Sequence, residues 1–350
     1  MNTALEDQRA GGPSPPGGAS HVVKTLPVLV LFPHNRCNCR CVMCDIWKIR
    51  QTREVRAGDL APHLESLRAL KVRWVVFSGG EPLLHSDLAG LGRLLRAEGI
   101  RVTLLTAGLP LRRFAPMVAE SVDDLIVSLD GPAQVHDEIR GIPGAFLRLA
   151  DGLAALRRLR PTIAMAARCT VQKKNFRCLR ATVAAARGLG LNSVSFLAAD
   201  VTSEAFNRPE GWSRQRQDTI ALNVQEVEGL SEEVEGLIQD CGGEIRTGFI
   251  VESAEKLRRI VLHFRSHRVQ AAPVAPRCNA PWVSAVIEAD GTVRPCFFHR
   301  PIGNLYRGDL QAIINGPEAL AFRRTLDVPS NPICRNCVCP LYVPPLTPTD

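Results

Sequence analysis

No run of eighteen apolar residues occurs anywhere in this 350-residue chain. The longest candidate, LPVLVLF at 26–32, is too short to cross a bilayer and reads as a buried strand. The opening MNTALEDQRAGGPSPPGGAS mixes acidic residues with Gly and Pro and holds no apolar segment, so no secretory signal is read there. A long basic run is missing too. The formal charge of +8 comes from scattered Arg, read as a solvated surface and not as a site for nucleic acid or lipid. Internal repeats are absent. A soluble cytoplasmic protein with no membrane span is the expectation that follows.

Cysteine, by contrast, is plentiful, with twelve in the chain. Without a secretory signal a disulfide framework has no oxidising compartment to form in, which leaves metal binding or catalysis. Six short apolar runs, at 26–32, 72–80, 100–108, 124–131, 162–171 and 192–199, alternate with segments of helical spacing. Leu88, Leu91, Leu94 and Leu95 form one such stripe, and Leu149, Leu153, Leu156 and Leu159 another. Continuous apolar strands separated by helices imply an α/β protein with a parallel sheet covered by helices. Residues 201–275 carry few strand signals and predict helices near 217–240 and 252–266. Beyond them WVSAVIEADGTVRPCFF alternates and turns at Asp290 and Gly291, a hairpin pattern.

CNCRCVMC, residues 37–44, follows the first strand signal, where loops of parallel α/β folds carry chemistry. Cys37, Cys41 and Cys44 have the spacing that lets one loop direct three thiolates at three irons of a 4Fe-4S cubane, leaving the fourth iron open. Cys39, between them, is expected to point away. A zinc knuckle using Cys39 or His34 is the rival on spacing alone.

Four motifs appear in order after successive strands: RCNCRCVMCDIW, FSGGEP, LLTAG and VSLDGPAQVHDEIRG. Together, over about residues 26–200, they resemble the radical S-adenosylmethionine (SAM) superfamily. The resemblance implies a partial (β/α)6 TIM-like barrel and two cofactors, a 4Fe-4S cluster on Cys37, Cys41 and Cys44, and SAM chelated by the open iron. Reductive cleavage of SAM would give a 5'-deoxyadenosyl radical that removes a substrate hydrogen. It further implies SAM contacts from Met43, Gly79, Gly80, Glu81, Ser128, Asp130 and Arg140. Gly79 and Gly80 would clear space for the methionine amino group, and Ser128 and Asp130 would meet the ribose or carboxylate. Arg140 is a further carboxylate candidate. Met43 stands where an aromatic residue often packs on adenine, and its thioether can do the same. Gly80→Val is accordingly expected to weaken SAM binding with iron unchanged.

Near the C-terminus, Cys278, Cys296, IGNL and CRNCVC resemble the auxiliary-cluster domain of this superfamily, called SPASM or, when shortened, twitch. The shortened version implies one auxiliary 4Fe-4S cluster on Cys278, Cys296, Cys334 and Cys337, with Cys339 spare. A zinc ribbon is the spacing-level rival. Cys169, Cys178 and Cys241 read as inert. The expected organisation is a disordered tail (1–22), a radical SAM barrel (23–200), a helical linker region (201–275), a small cysteine-rich α+β domain (276–340) and an extended tail (341–350). A radical SAM oxidoreductase or maturase acting on a peptide or protein is the leading functional expectation. Dehydrogenation of an aminocyclitol or sugar-like molecule, or a zinc-stapled binding protein, are the alternatives. A reductant such as flavodoxin or ferredoxin, and a separate recognition protein for a peptide substrate, are the expected partners. One sequence nominates no catalytic acid or base.

Overall fold

A computed structural model describes residues 21–267 and 275–344. The expected tails at 1–22 and 341–350 therefore lie mostly outside the described residues. Residues 21–23 are fastened to the C-terminal part: Arg323 Nε donates to the His21 carbonyl at 2.7 Å, and Val23 N to Asn315 Oδ1 at 2.7 Å.

All six strand signals form strands: β1 (Val28–Leu31), β2 (Trp74–Phe77), β3 (Arg101–Thr106), β4 (Asp124–Ser128), β5 (Ala164–Val171) and β6 (Ser193–Ala198). They pair in parallel, in chain order. The longer helices are α1 (Leu88–Ala97), α2 (Leu111–Ser121), α3 (Ala133–Arg140), α4 (Ala145–Leu159), α5 (Leu179–Gly188), α6 (Val224–Asp240), α7 (Ala254–Ser266) and α8 (Pro317–Thr325). Leu88, Leu91 and Leu95 of α1 and Leu149, Leu153 and Leu156 of α4 are buried, as their spacing demands. Leu159, the last residue of α4, escapes the stripe and stays 54% exposed. No helix among the described residues is long and apolar enough to cross a membrane.

The helix expected over 217–240 begins only at Val224. Asn223 caps it, its side chain accepting from Glu226 N while Glu226 returns a bond to Asn223 N. Ser253 likewise caps α7 through Lys256 N. Of the two, α7 packs on β6 and α6 lies against α7 and α5; Phe264 is fully buried, as are Leu230, Val234 and Leu237 of α6. Residues after α6 also extend the edge of the sheet, since Val194 N donates to the Phe249 carbonyl at 2.7 Å and Phe196 N to Glu252 Oε2 at 2.8 Å.

The hairpin at Asp290 and Gly291 forms from β7 (Ser284–Ile287) and β8 (Thr292–Arg294), with β9 (Gly303–Asn304) on its outer side. Sequence patterning placed it in a separate small domain. In the fold, β7 pairs in parallel with β1, Val28 with Ser284 through Leu31 with Ile287, so one nine-stranded sheet runs through the chain. Four fully apolar residues in β1 explain this: a strand buried on both faces and both edges needs a second neighbour besides β2. The strand that leads into the first cysteine loop is thus flanked directly by the hairpin that leads to Cys296.

Candidate active site and auxiliary metal centre

The loop after β1 is closed at its base by a short ladder. Asn35 N donates to the Arg53 carbonyl at 3.3 Å and Val55 N to the Pro33 carbonyl at 2.8 Å. Three further backbone contacts hold its interior. Glu81 N donates to the Arg36 carbonyl at 2.7 Å, Arg40 N to the Arg140 carbonyl at 2.9 Å, and Val42 N to the Ile139 carbonyl at 3.0 Å. The SGGEP loop and the C-terminal end of α3 therefore grip the cysteine loop from two sides.

Gly80 and Gly141 permit that grip. A Cβ on Gly80 would lie 2.0 Å from the Arg36 carbonyl oxygen, and one on Gly141, at φ +64°, 2.6 Å from that of Arg40. The room at Gly80 is thus needed by the backbone beside Cys37, which corrects the expectation for Gly80→Val. Iron content in the first cluster should fall together with SAM binding, because a branched side chain displaces the ligand loop itself. Iron analysis and equilibrium dialysis with labelled SAM on the purified variant measure both, and full iron occupancy would refute the packing argument.

Cys39 is 1% exposed, and its thiol interacts with those of Cys37 and Cys41. That contact and burial push Cys39 far above the usual thiol range, whereas the bond from Cys39 and the Arg140 charge hold Cys41 below it. Burial and the charge of Cys41 push Cys44 up to about 12. Cys44 Sγ also accepts from Ile46 N at 3.4 Å. No three His, Cys, Asp or Glu side chains among the described residues close tightly enough for a single metal ion. Three thiols fixed on one loop, with a guanidinium beside them, suit a larger anionic iron-sulfur cluster.

Arg140 joins this loop to the end of β4. It is 8% exposed, pairs with Asp130 Oδ2 at 2.5 Å and donates to Cys41 Sγ at 3.6 Å. Its buried Nε has no hydrogen-bond partner among the described residues. Asp130 is fully buried and its Oδ1 accepts from Thr170 N at 2.9 Å, so this carboxylate positions Arg140. Glu81 is equally occupied. Its Oε1 accepts from Leu83 N and Thr106 Oγ1, its Oε2 from Ala107 N, and its carbonyl from His34 Nε2. Burial raises its pKa, and the donors from Thr106 and Ala107 tie the SGGEP loop to LLTAG. Ser128 is half-buried and stands in register with Arg168 across β4 and β5.

Sequence reading missed the clamp over Met43. Arg208 is 2% exposed, donates to the Met43 carbonyl at 2.5 Å and to Asp200 Oδ2 at 2.8 Å, and lies 3.7 Å from the Trp212 ring centroid. Trp212 Nε1 in turn donates to Asp45 Oδ2 at 2.8 Å. The strap holds Phe206, Asn207 and Glu210 at positive φ, a strained path sustained by these contacts. Asp200 is thus an ion-pair partner of Arg208. Asp290 sits exposed in the hairpin turn, accepting from Thr292 N.

Five further cysteines gather at the second centre. Cys278 precedes a short helix (Ala280–Val283), Cys296 follows β8, and Cys334 sits on a helical turn (Pro332–Arg335) capped by Asn331. Burial raises Cys278, Cys296 (to about 11), Cys334 (to about 12) and Cys337. The charges of Cys278, Cys296 and Cys339 act on the others, so these thiols lie near one another. His299, 5% exposed, places Nε2 3.3 Å from Cys334 Sγ. Between the two centres, Phe297 packs on Phe32 after β1 (5.6 Å between centroids) and on Phe206 of the strap (4.9 Å). Cys169 is fully buried, while Cys178 and Cys241 are half-buried.

Comparison with known proteins matches residues 31–186 to the radical SAM superfamily and residues 278–338 to the SPASM iron-sulfur cluster-binding domain. An AdoMet-dependent heme synthase of Methanosarcina barkeri is 34% identical over 44% of this chain and 45% of its own length. The match thus spans less than half of that relative. The PqqA peptide cyclase of Ruegeria pomeroyi is 26% identical over 84% of this chain and 74% of its own. Among solved structures, Streptococcus suis SuiB bound to precursor peptide SuiA superposes with a TM-score of 0.64 at 16% identity, covering 91% of this chain and 72% of SuiB. Native anSMEcpe with bound AdoMet gives 0.64 at 16% identity, covering 87% and 84%. The chain belongs to the radical SAM superfamily, with a C-terminal SPASM domain, and its cofactors are S-adenosylmethionine, a 4Fe-4S cluster and auxiliary iron-sulfur.

Proposed function

We propose that this radical SAM enzyme modifies a peptide or protein by hydrogen abstraction, with Cys37, Cys41 and Cys44 holding the SAM-binding cluster. Cys278, Cys296, Cys334 and Cys337 hold one auxiliary 4Fe-4S cluster. When bound, the cluster and SAM supply the electron and the adenosyl radical. The protein's part is placement: Arg140 and Ser128 offer their free polar atoms to the methionine end of SAM, and Met43, fixed by Arg208, packs on adenine. Gly79 and Gly80 hold the SGGEP loop against the cluster loop, and Glu81 and Asp130 set its partners in place.

The observation that carries the substrate class is the likeness to a peptide cyclase across both domains, where the heme-type relative matches less than half of the chain. The higher identity of that heme-type relative supports tetrapyrrole chemistry as the second reading. Anaerobic incubation of the reconstituted chain with SAM, dithionite and either a short peptide encoded beside it, Fe-coproporphyrin III or an aminocyclitol separates the readings. Release of 5'-deoxyadenosine with a mass change in the peptide is expected. A mass change confined to the porphyrin or aminocyclitol overturns the peptide assignment, and zinc in place of iron overturns the whole reading.

His299 bears on the auxiliary cluster directly. An N–H donor on a ligating sulfur stabilises the reduced, more negative cluster and so raises its potential. Replacing His299 by Leu should lower the auxiliary midpoint by about 59 mV, a tenfold change for one electron. Redox titration followed by electron paramagnetic resonance reads this shift. An unmoved potential would show that the hydrogen bond is not made in the loaded protein.

A further inference from the structure

Arg168, in the middle of β5, has no ion-pair partner among the described residues. Met165, Ala167, Cys169 and Val171 of that strand are buried in the core together with Leu149 and Leu153 of α4. Alternation turns Arg168 and Thr170 to the opposite face, where both are half-buried. Arg168 Nε donates to Ser195 Oγ at 3.4 Å, while Nη1 and Nη2 make no hydrogen bond to the described residues. Glu252 lies within electrostatic reach of this guanidinium. Its Oε2 accepts from Phe196 N at 2.8 Å, and burial pushes its pKa up to about 7, so near neutral pH it carries a partial charge and leaves the cation largely uncompensated. Arg140 is in the contrasting state, closed off by Asp130 and Cys41.

The position adjoins the first cysteine loop. Thr170, two residues on and roughly 6.6 Å along the strand, gives its N–H to Asp130, which pairs with Arg140 beside Cys41. Ser128, proposed above to meet the methionine end of SAM, is in register with Arg168 on the next strand, about 4.8 Å away. Ser195 is in register on the other side, and Ile126, Ala166 and Leu197 share the face. We propose that Arg168 binds a carboxylate of the substrate and so places the carbon that loses its hydrogen beside SAM, which rests on the hydrogen-abstraction reading above. A guanidinium with two open nitrogens matches one carboxylate in a bidentate pair. A single such cation among apolar neighbours lacks the further donors that a phosphate dianion would take up, which favours a carboxylate on an apolar carrier. An acidic residue of a peptide and a propionate of a porphyrin present this same group, and the experiment separates them.

The test compares the reconstituted full chain with Arg168→Gln and Arg168→Lys, without dithionite so that no turnover intervenes. Iron content and SAM affinity are measured first, the latter by equilibrium dialysis. Calorimetric titration then gives the affinity for two matched pairs of probes. One pair is the short peptide encoded beside the chain and the same peptide with Asp and Glu replaced by Asn and Gln and its C-terminus amidated. The other is Fe-coproporphyrin III and its tetramethyl ester. The parent chain should bind the acid of one pair at least tenfold more tightly than its neutral counterpart. Arg168→Gln should abolish that preference and Arg168→Lys should keep it at reduced strength, with iron content and SAM affinity within twofold of the parent. A preference within the peptide pair supports the peptide reading as well, whereas one within the porphyrin pair overturns that reading and upholds the role of Arg168. No acid preference in the parent, or a preference that survives Arg168→Gln, would overturn the proposal. So would a fall in SAM affinity as large as the fall in acid binding, which would make Arg168 a SAM contact, or loss of iron from both variants, which would make it a structural residue.

Discussion

Replacing Cys37, Cys41 and Cys44 together by Ala should remove about half of the roughly eight irons expected per reconstituted chain, four per cluster, and reduce 5'-deoxyadenosine formation to background. The geometry makes the loss local. These thiols sit on one loop whose base is closed by backbone bonds between 33–35 and 53–55, and those bonds do not involve cysteine side chains. The remaining ligands lie on other elements, after β8 and on the turn around Cys334, and share no sulfur with the loop. Alanine removes the donors without filling space, and the Arg36, Arg40 and Val42 backbone contacts survive. Iron and sulfide analysis, with chromatographic measurement of 5'-deoxyadenosine under dithionite, checks both halves of the statement. Loss of all iron from a folded variant would mean that the two centres assemble interdependently.

That interdependence is a real alternative, because β7 pairs with β1 and Phe297 touches Phe32. Neither contact was legible in the sequence. Strand signals reveal that a segment is extended and apolar, and six of them in alternation with helices gave the parallel sheet. They do not reveal which edge a later hairpin will choose, since Val and Ile pair equally well with any buried neighbour. The motif residues were legible for a different reason: cysteines and paired glycines are costly or reactive anywhere else, so their spacing carries information. Arg208 has no such mark. An Arg among 43 basic residues becomes a clamp only because the chain returns to Met43 after 165 positions. Gly80 was singled out correctly as a close approach, but the partner that needs the room is the Arg36 carbonyl, which spacing does not identify.

Cys334→Ala with Cys337→Ala should leave SAM cleavage within a few-fold of the parent while product formation falls by about 10²-fold, the scale of a reactant displaced by an ångström. The choice of cysteines follows from the fold. Cys296 continues into Phe297, which leans on Phe32 and Phe206 beside the first loop, so a change there would disturb both centres. Cys334 and Cys337 lie on the far segment, held by the Asn331 cap and by the bond from Cys337 N to the Cys334 carbonyl, and neither contact reaches the barrel. Removing them empties the auxiliary site with the sheet and the Phe297 contacts intact. A substrate radical would then lack its electron acceptor or its correct placement, while Cys37, Cys41 and Cys44, proposed to hold the SAM-binding cluster, stay in place. Side-by-side measurement of 5'-deoxyadenosine and product under dithionite distinguishes the outcomes. Loss of both in a folded protein would make the second centre a structural support for the first, and retention of both would make it a staple without a part in turnover.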